Sequence, residues 1–356
     1  MKYKLSNICE YAKGKIDVAS LNDVTYISTE NMIPNKGGIT RASSLPVLSQ
    51  TQAFCSGDVL VSNIRPYFKK IWFADFCGGC SNDVLVFRAK SDVSKRFLYY
   101  VLANNAFFDY STVMSKGTKM PRGDKVAIME YEVPKFAYDV QEKIAGILSA
   151  LDDKIELNKR INENLAQQAQ AIYADIFITN ADPAWSLGHL SDLITVRYGK
   201  DHKKLDDGPF PVYGSGGVMR YVERPIYEKE SVLIPRKGTL NNVMYVNEPF
   251  WSVDTMFFTE MKFPDVAKFI FHFVKSKDLA SLNAGSAVPS MTTDILNAME
   301  LSIPDAETLK RFESIVGPMY RAMQQNYEES KKLAAVRETL LPRLMSGELD
   351  VSELDI

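Results

Sequence analysis

Part of this chain returns about 168 residues later, and that internal repeat restricts the fold to two similar bodies. Gly117-Thr118-Lys119-Met120-Pro121 comes back as Gly285-Ser286-Ala287-Val288-Pro289, and EYEVP at 130–134 comes back as ELSIP at 300–304. The openings of the two copies match as well. Lys4-Leu5-Ser6-Asn7-Ile8 corresponds to His189-Leu190-Ser191-Asp192-Leu193, and Lys13-Gly14-Lys15 to Tyr198-Gly199-Lys200. Between them, GDVLV at 57–61 matches ESVLI at 230–234, and SNDV at 81–84 matches SVDT at 252–255. The offset drifts from 185 at the opening to 168 at the end, so the copies differ in loop length inside the body. Variation concentrated in loops over a shared scaffold marks a recognition surface.

Short β-branched and aromatic runs bounded by Gly, Pro and Asn predict strands at 70–76, 84–88, 243–247 and 256–259, with a helix after each pair at 94–104 and 266–276. Each copy then ends in a long helical pattern. Leu148, Leu151, Ile155, Asn158, Asn162, Leu165, Ala169, Ile172 and Ile176 alternate spacings of three and four, the a/d seam of a coiled coil. Adding 168 gives the same seam in Val316, Met319, Met323, Asn326, Ser330, Leu333, Arg337, Leu340 and Leu344, with Ser330 and Arg337 as weak points. Asn158 and Asn326 occupy equivalent positions, where a polar seam residue specifies register at a cost in stability. The two helices, about 28–38 residues each, are expected to pack antiparallel. Gly317-Pro318 predicts a break or kink at the start of the second. The expected class is α+β: two similar β-rich domains separated by two long antiparallel coiled-coil helices, related by a pseudo-twofold repeat. The division is 1–136 for the first domain, 137–180 for the central helix, 181–305 for the second domain and 306–356 for the C-terminal helix.

The 356 residues suffice for two ordinary domains, and 46% hydrophobic with 24% charged residues reads as globular. No run of about 18 apolar residues is present, and the N-terminal stretch lacks a signal-peptide core, so a cytoplasmic location without a membrane partner is expected. The net charge of −2 does not announce nucleic acid, but its distribution is uneven. Residues 1–136 carry 18 Lys/Arg against 12 Asp/Glu, whereas residues 185–305 carry 13 against 15. A DNA contact needs only a local basic face, since phosphate attraction is screened over short distances.

Catalytic constellations are missing from the sequence. The three histidines, His189, His202 and His272, have no metal-ligand spacing, and Cys77-Gly78-Gly79-Cys80 lacks the second ligand pair that a structural zinc site needs. The other cysteines are Cys9 and Cys55, and buried or turn positions are expected for all four. Gly214-Ser215-Gly216-Gly217 lacks the lysine of a nucleotide loop and reads as a turn in a β-body. No Asn-Pro-Pro-aromatic or Asp-Pro-Pro-aromatic tetrapeptide of the aminomethyltransferases occurs. Asp58 could be imagined as a nuclease carboxylate, as could Asp83 and Asp254, but the last two stand at matched positions that favour turn or cap roles.

What remains is a binding surface. In the first body the candidates are Arg41, Asn63, Arg65, Tyr67, Lys69 and Lys70, with a second cluster of Lys116, Lys119, Arg122 and Lys125. In the second body they are Ser215, Arg220, Arg224, Arg236, Lys237, Thr239, Asn241 and Asn242. Arg and Asn can read guanine and adenine edges bidentately, while Lys holds phosphate.

These patterns together resemble the specificity subunit of type I restriction-modification systems. The resemblance rests on LLPRLMSGEL at 340–349, IAGILSALDDKIELN at 144–158, PVYGSGG at 211–217, RKGT at 236–239 and VDT at 253–255, and on their order in two copies. It implies that each β-rich body is a target recognition domain reading one half of a split double-stranded DNA sequence, with the helices setting the spacer. It implies no catalysis and no cofactor in this chain. Two modification subunits would bring S-adenosylmethionine for adenine methylation, and restriction subunits, when present, ATP- and magnesium-dependent cleavage. The near-neutral second body departs from a simple DNA-binding charge pattern, and phosphate contacts from the modification subunits would make up the difference. The competing reading is a symmetric coiled-coil scaffold that binds two copies of a protein or glycan partner through its bodies.

Overall fold

The computed structural model describes residues 2–282 and 290–354. The chain divides into two compact units, Met1–Asn158 with Glu328–Ile356, and Lys159–Tyr327. Each unit holds one β-rich body together with a stretch of both long helices.

The two most similar motifs of the repeat turn out to be partners. In the first unit the strand Lys2–Lys4 pairs antiparallel with Glu132–Pro134, and the helical turn Leu5–Ile8 follows. Lys4 N donates to Asn7 Oδ1 at 2.9 Å and Leu5 N to Tyr131 O at 2.7 Å. In the second unit Ser186–His189 pairs with Glu300–Ile303, the turn Leu190–Leu193 follows, and the same bonds recur: His189 N to Asp192 Oδ2 at 2.7 Å, Leu190 N to Met299 O at 2.8 Å. Leu5 and Leu190 are fully buried at the centre of each clasp. KLSNI with EYEVP, and HLSDL with ELSIP, are thus the two sides of one closure that ties the entry of each body to its exit.

Each body is built on a four-stranded sheet of identical topology. Its order is Cys9–Tyr11, Val84–Ala89, Val59–Ser62, Ile71–Phe73 in the first unit, and Ile194–Tyr198, Met256–Met261, Ser231–Pro235, Met244–Val246 in the second. The central strands carry apolar runs at 59–61, 84–87, 232–234 and 256–258 because both faces are covered there. Val59, Val61, Leu85 and Phe87 face Phe97, Leu98 and Val101 of the helix Lys95–Ala103, while Leu60, Val84 and Val86 face Phe54 and Trp72. In the second unit Val232, Ile234 and Phe257 face Phe269, Ile270 and Val274 of the helix Ala267–Lys275, while Leu233, Met256 and Phe258 face Val212, Phe250 and Trp251. The strands and helices fall where the sequence predicts them, with 70–76 trimmed to Ile71–Phe73. The copies diverge in the smaller sheet. It has four strands in the first unit (Lys15–Asp17, Gln50–Phe54, Gly78–Cys80, Tyr26–Ile27) and three in the second (Gly217–Val222, Phe210–Gly214, Trp251–Ser252).

The long helices run over Tyr138–Ala174 and Ala306–Ser346. All the predicted seam positions are buried or half-buried, eight of the first nine within Tyr138–Ala174 and Ile176 in the π-helical turn Asp175–Thr179 that follows it. In the first unit Leu148 clusters with Leu341 and Leu344, and Arg337 Nη1 meets Asp152 Oδ1 at 2.5 Å, which satisfies the charged seam position. In the second unit Tyr173 packs on Phe312, and Asn162 Nδ2 donates to Met323 O at 2.9 Å. Within each unit, numbers rise along one helix as they fall along the other, so the pairing is antiparallel.

Gly317-Pro318 does not break the second helix, which continues through it. A proline inside a helix costs about 3 kcal/mol. Burial on both sides outweighs that: Phe312 and Val316 are fully buried in the core of the second unit, and Met319 and Tyr320 pack against it.

Cys9 and Cys80 are buried, Cys55 and Cys77 exposed, and all four are free thiols. Among the described residues no group of three or more His, Cys, Asp or Glu could hold a metal ion, and no helix is long and apolar enough to cross a membrane.

Candidate nucleic-acid interface

In the first unit the fold joins the two basic clusters that the sequence leaves apart. The strand Val59–Ser62 delivers the chain to Asn63, which is 7% exposed. Asn63 N donates to Asp83 O at 2.8 Å and its carbonyl accepts from Gly123 N at 3.1 Å. A Cβ on Gly123 would come within 2.8 Å of Asn63 Oδ1 and of Ile128 Cδ1, so a larger residue there would make these side chains shift. Asn63 is therefore a joint between two loops, and its burial takes it out of reach of a base edge. Ile64 bridges Arg122, Arg65 N donates to Pro121 O at 2.8 Å, and Arg65 Nη2 reaches Lys119 O at 3.4 Å. These contacts lay the turn Pro66–Phe68 beside the small hairpin Ser115–Lys116 and Arg122–Gly123.

Several predicted contact residues are engaged within the protein. Arg122 pairs with Asp83 at 3.1 Å, and Lys116 pairs at 2.6 Å with Asp124. Asp124 also caps the helix Lys125–Met129 by accepting from Val126 N and Ala127 N, and Lys116 with these donors holds its carboxyl below the usual range. Lys69 Nζ reaches Asn105 Oδ1 at 3.0 Å and Lys70 Nζ reaches Thr29 O at 2.6 Å. The exposed contacts of Lys69, Lys116 and Arg122 contribute little energy and exchange readily for phosphate, whereas the contact of Lys70 is half-buried. Arg41 belongs to a different loop, where it pairs with Asp23 at 3.2 Å. Tyr67 is 47% exposed beside Phe68, at 38%, which sequence reading did not single out.

Asp58, one of three carboxylates that the sequence allows for a nuclease, is a structural group. It is buried, accepts from Cys55 N at 2.8 Å, and takes both Nε and Nη2 of Arg88 at 2.8 and 2.6 Å.

The second unit builds its surface at the equivalent place. Lys237 bridges Ser290, as Ile64 bridges Arg122, and both bridges follow the equivalent strand of the four-stranded sheet. Gly285-Ser286-Ala287-Val288-Pro289, the counterpart of the 117–121 hairpin tip, lies outside the described residues. Arg236 Nη1 donates to Asp254 O at 3.0 Å and its guanidinium stands 5.5 Å from the Tyr198 ring, an exposed aromatic that the sequence did not flag. Asn242 Nδ2 donates to Ser215 O at 2.7 Å, which joins the 236–242 loop to the Gly214–Gly217 turn. Gly238, with φ of 87°, sits where a Cβ would meet Ser215 Oγ at 2.9 Å. Lys237 and Thr239 are exposed. Asn241 is tied to Asp278 Oδ1 at 3.0 Å and Ala280 N, and Arg220 to Leu205 O and Asp207.

Comparison with known proteins agrees with this architecture. Residues 1–167 and 184–329 match the family described as "Type I restriction modification DNA specificity domain". Among similar proteins, the Type I restriction enzyme HindI specificity subunit of Haemophilus influenzae is 22% identical and is covered over 99% of its length by 98% of this chain. The MjaIX specificity subunit of Methanocaldococcus jannaschii is 22% identical over 74% of this chain and 71% of its own. The crystal structure of a type I restriction-modification system S subunit from M. genitalium superposes with a TM-score of 0.60 at 18% identity, covering 99% of this chain and 96% of that one. It shares the fold.

Proposed function

The chain belongs to the type I restriction-modification DNA specificity family, and from that premise we propose how it selects its target. It is a specificity subunit with two recognition domains, the non-catalytic DNA-recognition component of such a system, and it works in complexes with partner subunits and DNA. Each body reads one half of a split double-stranded sequence. The first uses the 65–70 turn and the 115–122 hairpin, and the second uses the 236–242 loop with the 214–220 turn and strand. The long helices set the spacer between the half-sites. Two modification subunits supply S-adenosylmethionine and methylate adenine at the chosen site, and restriction subunits add ATP- and magnesium-dependent cleavage. No cofactor is assigned to this chain.

The observation that carries this reading is the equivalence of the bridges Ile64–Arg122 and Lys237–Ser290. The same scaffold position presents different side chains in the two copies, as expected of one architecture reading two different half-sites. Family membership gives no support to a scaffold for protein or glycan partners.

The test is to co-express the chain with a cognate modification subunit and map methyladenine across genomic DNA. A single split motif with a fixed spacer is expected. Methylation without a defined split site would overturn the reading.

A further inference from the structure

Four of the five non-glycine residues with positive φ among the described residues meet at one turn of the first body. Arg65, at 51°, and Lys69, at 52°, bracket Pro66–Phe68, while Asn35, at 56°, and Lys36, at 62°, lie against it. Asn35 N donates to Phe68 O at 2.8 Å and Lys36 N to Lys69 O at 2.9 Å. Left-handed backbone at branched or long side chains persists only where the surroundings impose it, and it concentrates at functional sites. Here the imposing contact is Lys36. Its side chain is 8% exposed, and Nζ lies 3.0 Å from both carboxylate oxygens of Glu338 on the second long helix.

The result of that strain is a rigid apolar knob. Pro66 is buried beneath the turn, while the rings of Tyr67 and Phe68, 4.8 Å apart at 62°, remain exposed. Arg65 and Lys70 flank the knob, each 5.9 Å from the Phe68 ring, and Lys119 is exposed on the adjoining hairpin. Two exposed rings framed by cations suit a duplex: rings press on base faces while cations take the neighbouring phosphates. The corresponding turn of the second body has Gly238 at its left-handed position and Leu240 buried.

We propose that Tyr67 and Phe68 form a wedge that stacks against a base step in the half-site read by the first body, and that Lys36, through Glu338, is the positioning residue that holds it. This rests on the reading of that body as a DNA-recognition domain.

The experiment uses the assembled complex with its modification subunits and the mapped target, with 2-aminopurine placed in turn at each adenine-compatible position of both half-sites. The intact complex is expected to raise 2-aminopurine fluorescence at one step of one half-site. Y67A/F68A should abolish that rise and slow methylation roughly tenfold, while complex assembly and the choice of the other half-site persist. F68W should restore the signal. K36M should weaken it and K36R retain it, with assembly unchanged in both. The wedge is overturned if the intact complex methylates its split site with no fluorescence rise, or if Y67A/F68A keeps both rise and rate. A complex that methylates no split site overturns the underlying reading and the wedge with it.

Discussion

Asn326 donates from Nδ2 to Asn162 Oδ1 at 2.8 Å, and the positions 168 residues away, Asn158 and Ser330, meet at 3.3 Å. The two equivalent asparagines therefore do not meet each other. Each instead meets one member of a second equivalent pair, Asn158 meeting Ser330 and Asn326 meeting Asn162, within its own unit, as an antiparallel pair of repeated helices requires. Removing one side of such a contact costs a half-buried hydrogen bond, whereas replacing both sides with apolar groups offsets that loss by burial. Asn162→Ala should destabilise the second unit by about 1–2 kcal/mol, and N162L/N326L should be close to neutral. Urea unfolding followed by Trp185 and Trp251 checks this, and a double variant weaker than the single one would contradict it.

The continuous helix across Gly317-Pro318 predicts that Pro318→Ala is stabilising. The substitution restores a backbone donor facing Ser314 and removes ring strain. A gain of about 1–3 kcal/mol in urea unfolding is expected, and a loss would show that the proline is needed there.

His272 links the helix Ala267–Lys275 to both long helices within the second unit. Its Nδ1 is 2.8 Å from Gln170 Oε1, its Nε2 is 3.0 Å from the Tyr320 hydroxyl, and its ring stacks on Tyr173. Burial, reinforced by Lys275, pushes its pKa down to about 4. The unfolded chain then binds this proton more readily than the folded one, so the group's contribution is present above about pH 6.5 and is lost as pH falls towards 4, by up to about 3 kcal/mol. Stability measured at pH 7 and pH 4.5 should fall less steeply for His272→Gln than for the unaltered chain. Parallel curves would contradict the assignment.

The long helices make the spacer prediction quantitative. Removing one heptad from each, at positions 168 apart, shortens each helix by about 10 Å, or about three base pairs at 3.4 Å per step. Methylation mapping should show both half-sites unchanged and the spacer shorter by about that amount. An unchanged spacer would remove the helices from the role of ruler.

The repeat, the seams and the strand-rich bodies were legible because each is local or periodic. Leu148 to Ile176 carry their spacing in plain view, and KLSNI and EYEVP recur as words. What was not legible depends on contacts between distant residues. Asn63 looks like a base reader until Asp83 and Gly123 close over it. Lys36 looks like a loop charge until Glu338, 302 positions away, receives it. Asp58 resembles a catalytic acid until Arg88 grips both its oxygens. Gly317-Pro318 reads as a breaker because local propensity is visible in a sequence, whereas the burial of Phe312 and Val316 that overrides it is not.

The central claim is that the two bodies read their half-sites independently. The most direct measurement replaces residues 184–305 with the matching segment of another specificity subunit and maps methyladenine after co-expression with the same modification subunits. The expected motif keeps one half-site and the spacer and exchanges the other half-site. A motif in which both halves change, or neither does, would contradict the account.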